Sequence, residues 1–392
     1  MAAASTNAAV ADFEDARIDA YFYHLSARLG THRPDVKAVC VAHMVPNSLH
    51  FLPAITNLVD VALVLAKPKS FDRAETEALV SKGFDVVRLQ REWSESPQQV
   101  VEFLRSRALD QQNLVIVDIG GYFAESLNSI AAALPGRILG VMEGTENGAR
   151  RYEECGPHDV PVVTVARSPL KLPEDYLVGS SIVFSVEAVL REQAQILQTR
   201  TACVIGYGRV GRSVADILRG RGIATVVHDV DPVAMAEAAA RGFQVFRRLD
   251  SALLRATLVI CATGDKALDK FGFAALQSGT AVATVTSGDD ELVTVDLQNA
   301  YQPTKVSAHV TRYDEIGSSH RYFWLINDGN APNFIHGAVI GPAIQLIEGE
   351  KLAAVYGLIS GAFPSNTSSL SEVAAGVRTT VAEVWNEHFL ND

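Results

Sequence analysis

Three glycines and an aspartate in the middle of the chain have the types and spacing of a dinucleotide-binding site. Gly206, Gly208 and Gly211 follow the apolar run TACVI, and Asp229 ends the next apolar run 18 residues after Gly211. Glycines here allow a tight turn, a close approach to a pyrophosphate and close helix packing, and an acid at this distance can bind ribose hydroxyls. Because the carboxylate would repel a 2'-phosphate and no arginine follows it directly, the pattern predicts NAD rather than NADP. A glycine turn without a ligand is the alternative.

Short apolar runs alternate with helical patterns on both sides of this site. Six runs precede it, from AVCVAHMV to PVVTVARS, and a second series begins at TACVIGYG and ends near YFWLIND. This alternation is typical of parallel sheets flanked by helices. It predicts an α/β fold with two doubly wound, Rossmann-like parallel-sheet domains, a cleft between them and a short helical C-terminal segment. The predicted boundaries are residues 1–180 plus 338–365 for the first domain, 181–337 for the second and 366–392 for the helical segment.

Composition argues against several other classes of protein. The 392 residues carry a net charge of −11, which gives no indication of a basic surface for nucleic acid. The four cysteines are far apart and form no CxxC or Cys/His cluster, which predicts reduced thiols, no metal site and a cytoplasmic protein. No apolar run approaches membrane length, so no membrane is expected as a partner. Residues 1–16 are small and acidic, lack the pattern of a signal peptide, and are predicted to be a frayed end.

The glycine segment resembles that of the S-adenosylhomocysteine hydrolases. GYGRVGRSVADILRGRGIATVVHDVDP is similar to the family's G-Y-G-x-V-G-K-G segment and its E-I-D-P continuation. Further segments resemble the family in the same order along the chain: AHMV, VIVDIGGYF, GVMEGTENG, SPLKLPEDYLVGSS and NDGNAPNF. The resemblance implies that the first domain binds a small-molecule nucleoside and that the central domain permanently holds NAD. It also implies a homo-oligomer, either a dimer or a tetramer.

The chemistry of that family implies an internal redox cycle. NAD takes hydride from the 3' carbon of the nucleoside, the resulting ketone acidifies the 4' hydrogen, and the 5' substituent leaves. Water then adds and the hydride returns, so the cofactor is catalytic and not consumed.

The resemblance also assigns roles to individual residues. Lys171 matches the family's catalytic lysine and Asp175 the aspartate beside it, whereas His43 matches the histidine near the 5' leaving group, where it would donate a proton. Asp118 and Glu143 are the remaining acids of two family motifs and complete the predicted catalytic set. The predicted cofactor contacts are Gly206, Gly208, Arg209, Val210, Gly211, Asp229, Thr145, Asn147, Thr263, Gly264 and Asn333. The predicted substrate contacts are His43, Val45, Asn47, Lys171, Asp175 and His336, the last as a displaced candidate for a missing imidazole.

Compared with the family's motifs, the positions that control departure of the thiol and addition of water differ more than the positions that serve oxidation of the sugar. Ile119 and Gly144 replace two acids, Tyr176 replaces an asparagine, Ser180 a cysteine and Ser287 a histidine. The family's C-terminal lysine and tyrosine are absent from VWNEHFLND.

These changes lead to three hypotheses about function. The first is an NAD-dependent lyase that oxidises the sugar of an adenine nucleoside or of a sugar-modified relative, such as a hexulose nucleoside, eliminates water and reduces the product to an unsaturated nucleoside. The second is an authentic adenosylhomocysteinase that releases adenosine and homocysteine, and the third is a catalytically inactive NAD-binding regulator. For either enzyme, the two domains are expected to close on the substrate about hinges near residues 179–184 and 333–342.

Overall fold

The computed structural model describes residues 2–94, 96–286, 291–318, 320–365 and 369–391. Ser287, one of the substituted positions, lies outside these ranges. Contacts within the chain define two units: unit 1 contains Met1–Lys171 with Gly341–Asp392, and unit 2 contains Leu172–Ile340. Each unit is built on its own sheet.

Unit 1 is built on a seven-stranded sheet whose neighbouring strands run parallel. The strands are β1 (Val36–Met44), β2 (Asp60–Phe71), β3 (Val86–Arg88), β4 (Asn113–Asp118), β5 (Arg137–Glu143), β6 (Val162–Thr164) and β15 (Ser371–Glu372). Their spatial order is β15-β6-β5-β4-β1-β2-β3, so the order reverses between β1 and β4. Open sheets of this kind bind ligands beyond the carboxyl ends of their strands, at the point of reversal.

Helices cover this sheet and include the two ends of the chain. They are α1 (Ala2–Leu29), α2 (Ser48–Ile55), α3 (Arg73–Ser81), α4 (Arg91–Ser94), α5 (Pro97–Ser106), α6 (Leu127–Ala133), α7 (Glu146–Cys155), α14 (Ala343–Ile359) and α15 (Ala375–Phe389). The prediction of a frayed end at residues 1–16 is wrong for residues 2–16, because these alanine-rich residues form the first turns of α1. Further along the same helix, Tyr21, Phe22 and Leu25 are buried.

The C-terminal segment packs within unit 1 through both polar and apolar contacts. Trp385 on α15 donates a 2.8 Å hydrogen bond from Nε1 to the carbonyl of Pro342. Arg378, also on α15, donates at 2.7 Å to Glu350, which is fully buried on α14. Because α14 is buried on nearly every side, it forms a central helix of the unit.

Unit 2 is built on an eight-stranded sheet with an antiparallel extension. The strands are β7 (Thr201–Ile205), β8 (Ala224–His228), β9 (Gln244–Val245), β10 (Leu258–Cys261), β11 (Thr280–Thr284), β12 (Tyr301–Ser307), β13 (Val310–Glu315) and β14 (Tyr322–Ile326). Their order is β12-β13-β14-β11-β10-β7-β8-β9, with the reversal between β7 and β10. The strands β12 and β13 pair antiparallel and extend the predicted parallel sheet. Their sequence, YQPTKVSAHVTRYDE, lacks the continuous apolar run of a strand buried on both faces.

The first helix of unit 2 begins at Leu172, where the chain enters this unit. The helices of the unit are α8 (Leu172–Glu192), α9 (Arg209–Gly220), α10 (Pro232–Ala240), α11 (Leu249–Leu253), α12 (Lys270–Ala275) and α13 (Thr294–Ala300), with short 3-10 helices at Leu197–Thr199, Asn327–Gly329 and Pro332–His336. The first predicted hinge, residues 179–184, lies within the uninterrupted helix α8, whereas the chain passes between the units at 171/172. The chain returns to unit 1 between residues 340 and 341, which lies within the second predicted hinge, residues 333–342.

Three of the four cysteines are buried in the interior of the units. All four cysteines are free thiols, and burial raises the pKa of Cys40, Cys203 and Cys261 above its ordinary value.

Across the described ranges, no helix combines the length and the apolar character needed to cross a lipid bilayer. The same ranges hold no cluster of three or more potential metal ligands.

Candidate functional site

The glycine turn lies at the point of reversal in the sheet of unit 2, between β7 and α9. Gly206 has a φ of +92°, and a Cβ atom there would lie 2.6 Å from the carbonyl oxygen of Ala262. A Cβ atom on Gly211 would lie 2.0 Å from the carbonyl oxygen of Gly206, so this glycine lets the helix pack on the turn. Gly208 is the N-cap of α9 and has open space around it, which leaves the helix N-terminus accessible to an anion. Arg209 and Val210 form the first turn.

Asp229 follows the neighbouring strand β8 and is half-buried. Its carboxylate accepts hydrogen bonds from the backbone N–H of Tyr207, within the glycine turn, and of Asp231 at 2.8 Å. These two contacts fix the side chain beside the turn. A carboxylate has further acceptor sites, so Asp229 can still accept hydrogen bonds from ribose hydroxyls.

Asn333 supplies an independent indication of a ligand in unit 2. It lies in the 3-10 helix Pro332–His336 and is only 6 % exposed. Its side-chain oxygen accepts no hydrogen bond from the residues that the structure describes. Because an unsatisfied buried acceptor is costly, it fits a ligand that brings an N–H donor, such as the carboxamide of a nicotinamide.

Thr263 and Gly264 follow β10 and are fixed by a residue that the sequence analysis missed. Glu291 is fully buried and accepts hydrogen bonds from the backbone N–H and hydroxyl of Thr263 and, at 2.8 Å, from the backbone N–H of Gly264. Burial raises the pKa of Glu291. The segment TSGDDE gives no signal of this role, because it depends on which strand-end loop the side chain meets. The turn, Asp229 and Asn333 together fit NAD.

Replacing Asp229 tests the assignment of the ribose contact. We expect Asp229→Asn to weaken NAD binding by about 10- to 100-fold, since a charged hydrogen bond contributes roughly 1.5–3 kcal/mol, while NADP binding should not fall in parallel. The asparagine keeps one oxygen for the backbone N–H groups, so the turn should persist. Calorimetric titration of the nucleotide-free protein measures both affinities, and Asp216→Ala on the outer face of α9 is the control. Unchanged NAD affinity would show that the ribose contact is assigned wrongly.

The second cluster of predicted residues lies at the carboxyl edge of the sheet in unit 1. His43 is near the end of β1, Ser70 near the end of β2, Ile119 directly after β4 and Gly144 directly after β5. Because β2, β1, β4 and β5 are consecutive neighbours, these positions share one edge that spans the point of reversal. Val45 and Asn47, predicted to contact the substrate, are half-buried in the turn that follows β1. Parallel strands thus gather residues that are distant in sequence.

His43 is half-buried, and its surroundings favour the neutral imidazole. Nδ1 lies within hydrogen-bond distance of the Ser70 hydroxyl, and the His43 carbonyl accepts a hydrogen bond from the Ser48 hydroxyl. Burial, followed by the positive charges of Lys67 and Lys351, holds the pKa of His43 well below its ordinary value. A neutral imidazole accepts a proton more readily than it donates one. This environment disfavours the proton-donor role predicted for His43.

Asp118 and Glu143 are buried beneath the loops of this edge. Both are fully buried. Asp118 accepts hydrogen bonds from the Tyr152 hydroxyl at 2.8 Å and from the backbone N–H of Phe123 at 3.1 Å. These contacts support the strand-end loops, and the catalytic role of the two acids remains a prediction.

Glu143 holds two of those loops at once. It accepts hydrogen bonds from the backbone N–H groups of Gly120 and Gly121, and from both the backbone N–H and the hydroxyl of Thr145. Burial and the nearby charge of Asp118 raise the pKa of Glu143 to about 8. The hydroxyl of Thr145 also accepts from the backbone N–H of Gly148 and so caps α7. Thr145 therefore has a structural role in unit 1, and its predicted contact with the cofactor remains a prediction.

The remaining predicted residues are distributed between the two units. Lys171 ends the 3-10 helix Pro169–Lys171 of unit 1 and is half-buried, and Asn147 lies half-buried on α7. In unit 2, Asp175 is 5 % exposed on the first turn of α8, where Arg209 Nη1 lies 3.6 Å from its carboxylate. His336 is exposed, with Nδ1 2.9 Å from the Ser185 hydroxyl on α8. Arg209 is thus placed between an acid and the glycine turn, which the sequence alone did not indicate.

Comparison with known proteins relates this geometry to a family. The family model described as "S-adenosyl-L-homocysteine hydrolase, NAD binding domain" matches residues 176–333. The adenosylhomocysteinase of Thermotoga maritima is 30% identical over 285 residues, 71% of this chain and 68% of that protein. The chain belongs to the adenosylhomocysteinase family. Its cofactor is NAD, and the predictions of the family, the α/β fold class and the cofactor are confirmed.

Other relatives match a smaller share of their own length. The adenosylhomocysteinase of Thermoplasma acidophilum is 29% identical over 65% of this chain and 62% of that protein. The S-inosyl-L-homocysteine hydrolase of Methanopyrus kandleri is 29% identical over 53% of this chain and 48% of that protein. The chain thus spans less than two thirds of the length of these members of the family.

Proposed function

We propose that this member of the family is an NAD-dependent enzyme that removes the 5' substituent of a nucleoside by elimination and releases an unsaturated nucleoside. The observation that carries the proposal is that each of the two sheets in this chain has a carboxyl edge where the strand order reverses. The edge in unit 2 fits NAD, and the edge in unit 1 carries His43 beside two ammonium groups. The names of the relatives support a nucleoside substrate.

The chain's own residues supply the proton transfers. When bound, NAD supplies reversible removal of hydride from the 3' carbon. Lys171 serves as the base for the 3' hydroxyl proton or the 4' hydrogen. A lysine acts as a base near neutral pH only where its surroundings lower its pKa, so the role requires the neutral amine.

The edge in unit 1 favours an enzyme that does not add water back. Ile119 and Gly144 bring no carboxylate to this edge, and the adjacent acids, Asp118 and Glu143, are buried and hydrogen-bonded below it. An incoming water therefore lacks a carboxylate base from these motifs. The product would keep its double bond when the 3' carbon is reduced again.

Hydrolysis is the second candidate, and the neutral state of His43 favours it. A neutral imidazole can take a proton from an attacking water, and the relatives are named as hydrolases of S-adenosyl- or S-inosylhomocysteine. The same neutral state argues against hydroxide as the leaving group, because hydroxide requires a proton as its bond to carbon breaks. If water is eliminated, the proton must come from another group, such as an ammonium.

Incubation with nucleosides in 18O-labelled water separates the two candidates. The holoenzyme would be mixed with adenosine, S-adenosylhomocysteine or S-inosylhomocysteine, with the absorbance of bound NADH and the product mass as readouts. We expect the cofactor to be transiently reduced and the product to lack the label. Incorporation of 18O into the nucleoside product would favour hydrolysis. If none of these compounds reduces the bound cofactor, the redox proposal fails.

A further inference from the structure

Two lysines flank His43 at the carboxyl edge of the sheet in unit 1. Lys67 extends from β2, and its Nζ donates a 3.0 Å hydrogen bond to the carbonyl oxygen of Ile119. Lys351 extends from α14 and packs its Nζ 5.6 Å from the centre of the Phe51 ring. The positive charge of both side chains reaches His43.

The two ammonium groups lie where the chain has lost acids. A Cβ atom on Gly144 would lie 3.1 Å from Lys351 Cε, 3.7 Å from its Nζ and 3.1 Å from Ile119 Cγ2. A Cβ atom on Gly120 would lie 3.3 Å from Lys67 Nζ. The substituted positions 119 and 144 are thus in direct contact with the lysines. An acid at position 144 could not be accommodated there without displacing Lys351.

The nearby carboxyl groups do not neutralise Lys351. In the described part of the chain, no carboxylate oxygen lies within 4 Å of its Nζ. Glu348 lies one turn earlier on the same helix, but its side chain is buried. The hydrogen bonds that Glu143 accepts come from the loop at residues 120–121 and from Thr145 rather than from Lys351. A partly buried cation without a close anion is costly, and a bound anion would offset that cost.

We propose that Lys67 and Lys351 bind a phosphate group carried on the 5' side of the nucleoside substrate. The inference rests on the proposed function, because that function places the 5' side of the sugar near His43. Hydrogen bonds between an ammonium and an oxyanion are among the strong ones in proteins. The half-burial of both lysines keeps them reachable while weakening the screening by solvent.

Two matched pairs of nucleosides test the charge requirement. Adenosine 5'-monophosphate is compared with adenosine, and S-adenosylhomocysteine is compared with 5'-methylthioadenosine, by calorimetric titration of the holoenzyme. We expect adenosine 5'-monophosphate to bind at least about 10-fold more tightly than adenosine, with a preference that shrinks as ionic strength rises. A preference within the second pair only would show selection of a carboxylate and would overturn the assignment of phosphate. Equal affinities within both pairs would overturn the inference.

Substitution of Lys351 assigns that preference to the lysines. Lys351→Met should reduce the preference about 10-fold and leave the affinity for adenosine unchanged. Lys82→Met is the control, because Lys82 belongs to the same unit but is exposed and donates to the backbone carbonyl of Leu49. Lys67→Met should act in the same direction, and its unfolding temperature will show whether loss of the bond to Ile119 destabilises the protein. An unchanged preference in both folded variants would overturn the assignment.

Reduction of the bound cofactor by adenosine, recorded in the same samples, separates this inference from the proposed function. If adenosine reduces the bound NAD but no anion preference exists, the inference fails and the proposed function stands. If no nucleoside binds or reduces the cofactor, the proposed function fails, and the inference fails with it.

Discussion

Lys171→Ala is expected to leave the bound cofactor oxidised and to abolish product formation. The physical reason is that removal of hydride from the 3' carbon requires simultaneous removal of the hydroxyl proton, and Lys171 is the base proposed for that step. General base catalysis contributes about 10² to 10⁴ in rate, so the residual turnover should fall by at least that factor. Rapid-mixing absorbance of bound NADH and the mass of the product are the two measurements.

Two further variants show which step Lys171 serves. Lys171→Arg keeps the positive charge but cannot act as a base, and it should be as inactive as the alanine variant. His43→Ala should still allow reduction of the cofactor and exchange of the 4' hydrogen with deuterated water, and product formation should persist because the surroundings of His43 disfavour it as the proton donor. If Lys171→Arg retains normal turnover, the lysine contributes charge rather than proton transfer. Normal turnover in His43→Ala would exclude an essential role for the imidazole.

Alanine substitutions at three glycines of α9 should separate folding from cofactor binding. Gly211→Ala should destabilise the protein by about 3 kcal/mol or more and abolish NAD binding, since its Cβ would lie 2.0 Å from the Gly206 carbonyl oxygen. Gly208→Ala should fold normally, because nothing lies within 4 Å of the added atom, yet bind NAD weakly where the pyrophosphate approaches. Gly220→Ala, at the open C-terminal end of the helix, is the matched control.

Thermal unfolding of nucleotide-free protein, with and without NAD, measures both effects. NAD binding should raise the unfolding temperature of the parent and of Gly220→Ala, because a ligand of the folded state stabilises it. Gly208→Ala should unfold like the parent without NAD but gain little from NAD. A full NAD-dependent shift in Gly208→Ala would show that the pyrophosphate does not approach this residue.

The sequence predicted the parts of the molecule that depend on local pattern. The continuous apolar runs of β1, β4, β7 and β10 indicate strands buried on both faces, and the spacing from Gly206 to Asp229 is sufficient by itself to indicate the NAD site. The antiparallel strands β12 and β13 were not identified, because polar edge strands lack that apolar signal.

Side-chain direction at the strand ends could not be predicted from sequence. Asp118 and Glu143 match acids of family motifs, yet both are buried and meet Tyr152, Phe123 and the glycine loop. Lys67 and Lys351 come from segments 284 residues apart and meet the same edge only after the sheet and α14 have packed. Contacts between such distant segments leave no mark on local composition.

The carboxyl group of Glu143 acts as a built-in occupant of the edge in unit 1. Both sheets reverse their strand order in the same way, so strand order alone would allow a dinucleotide at either edge. In unit 1, however, the N–H groups of Gly120, Gly121 and Thr145 are already filled by the protein's own side chain. These N–H groups are therefore not available to a phosphate in unit 1 unless Glu143 gives them up, whereas the N-terminus of α9 in unit 2 has open space at Gly208.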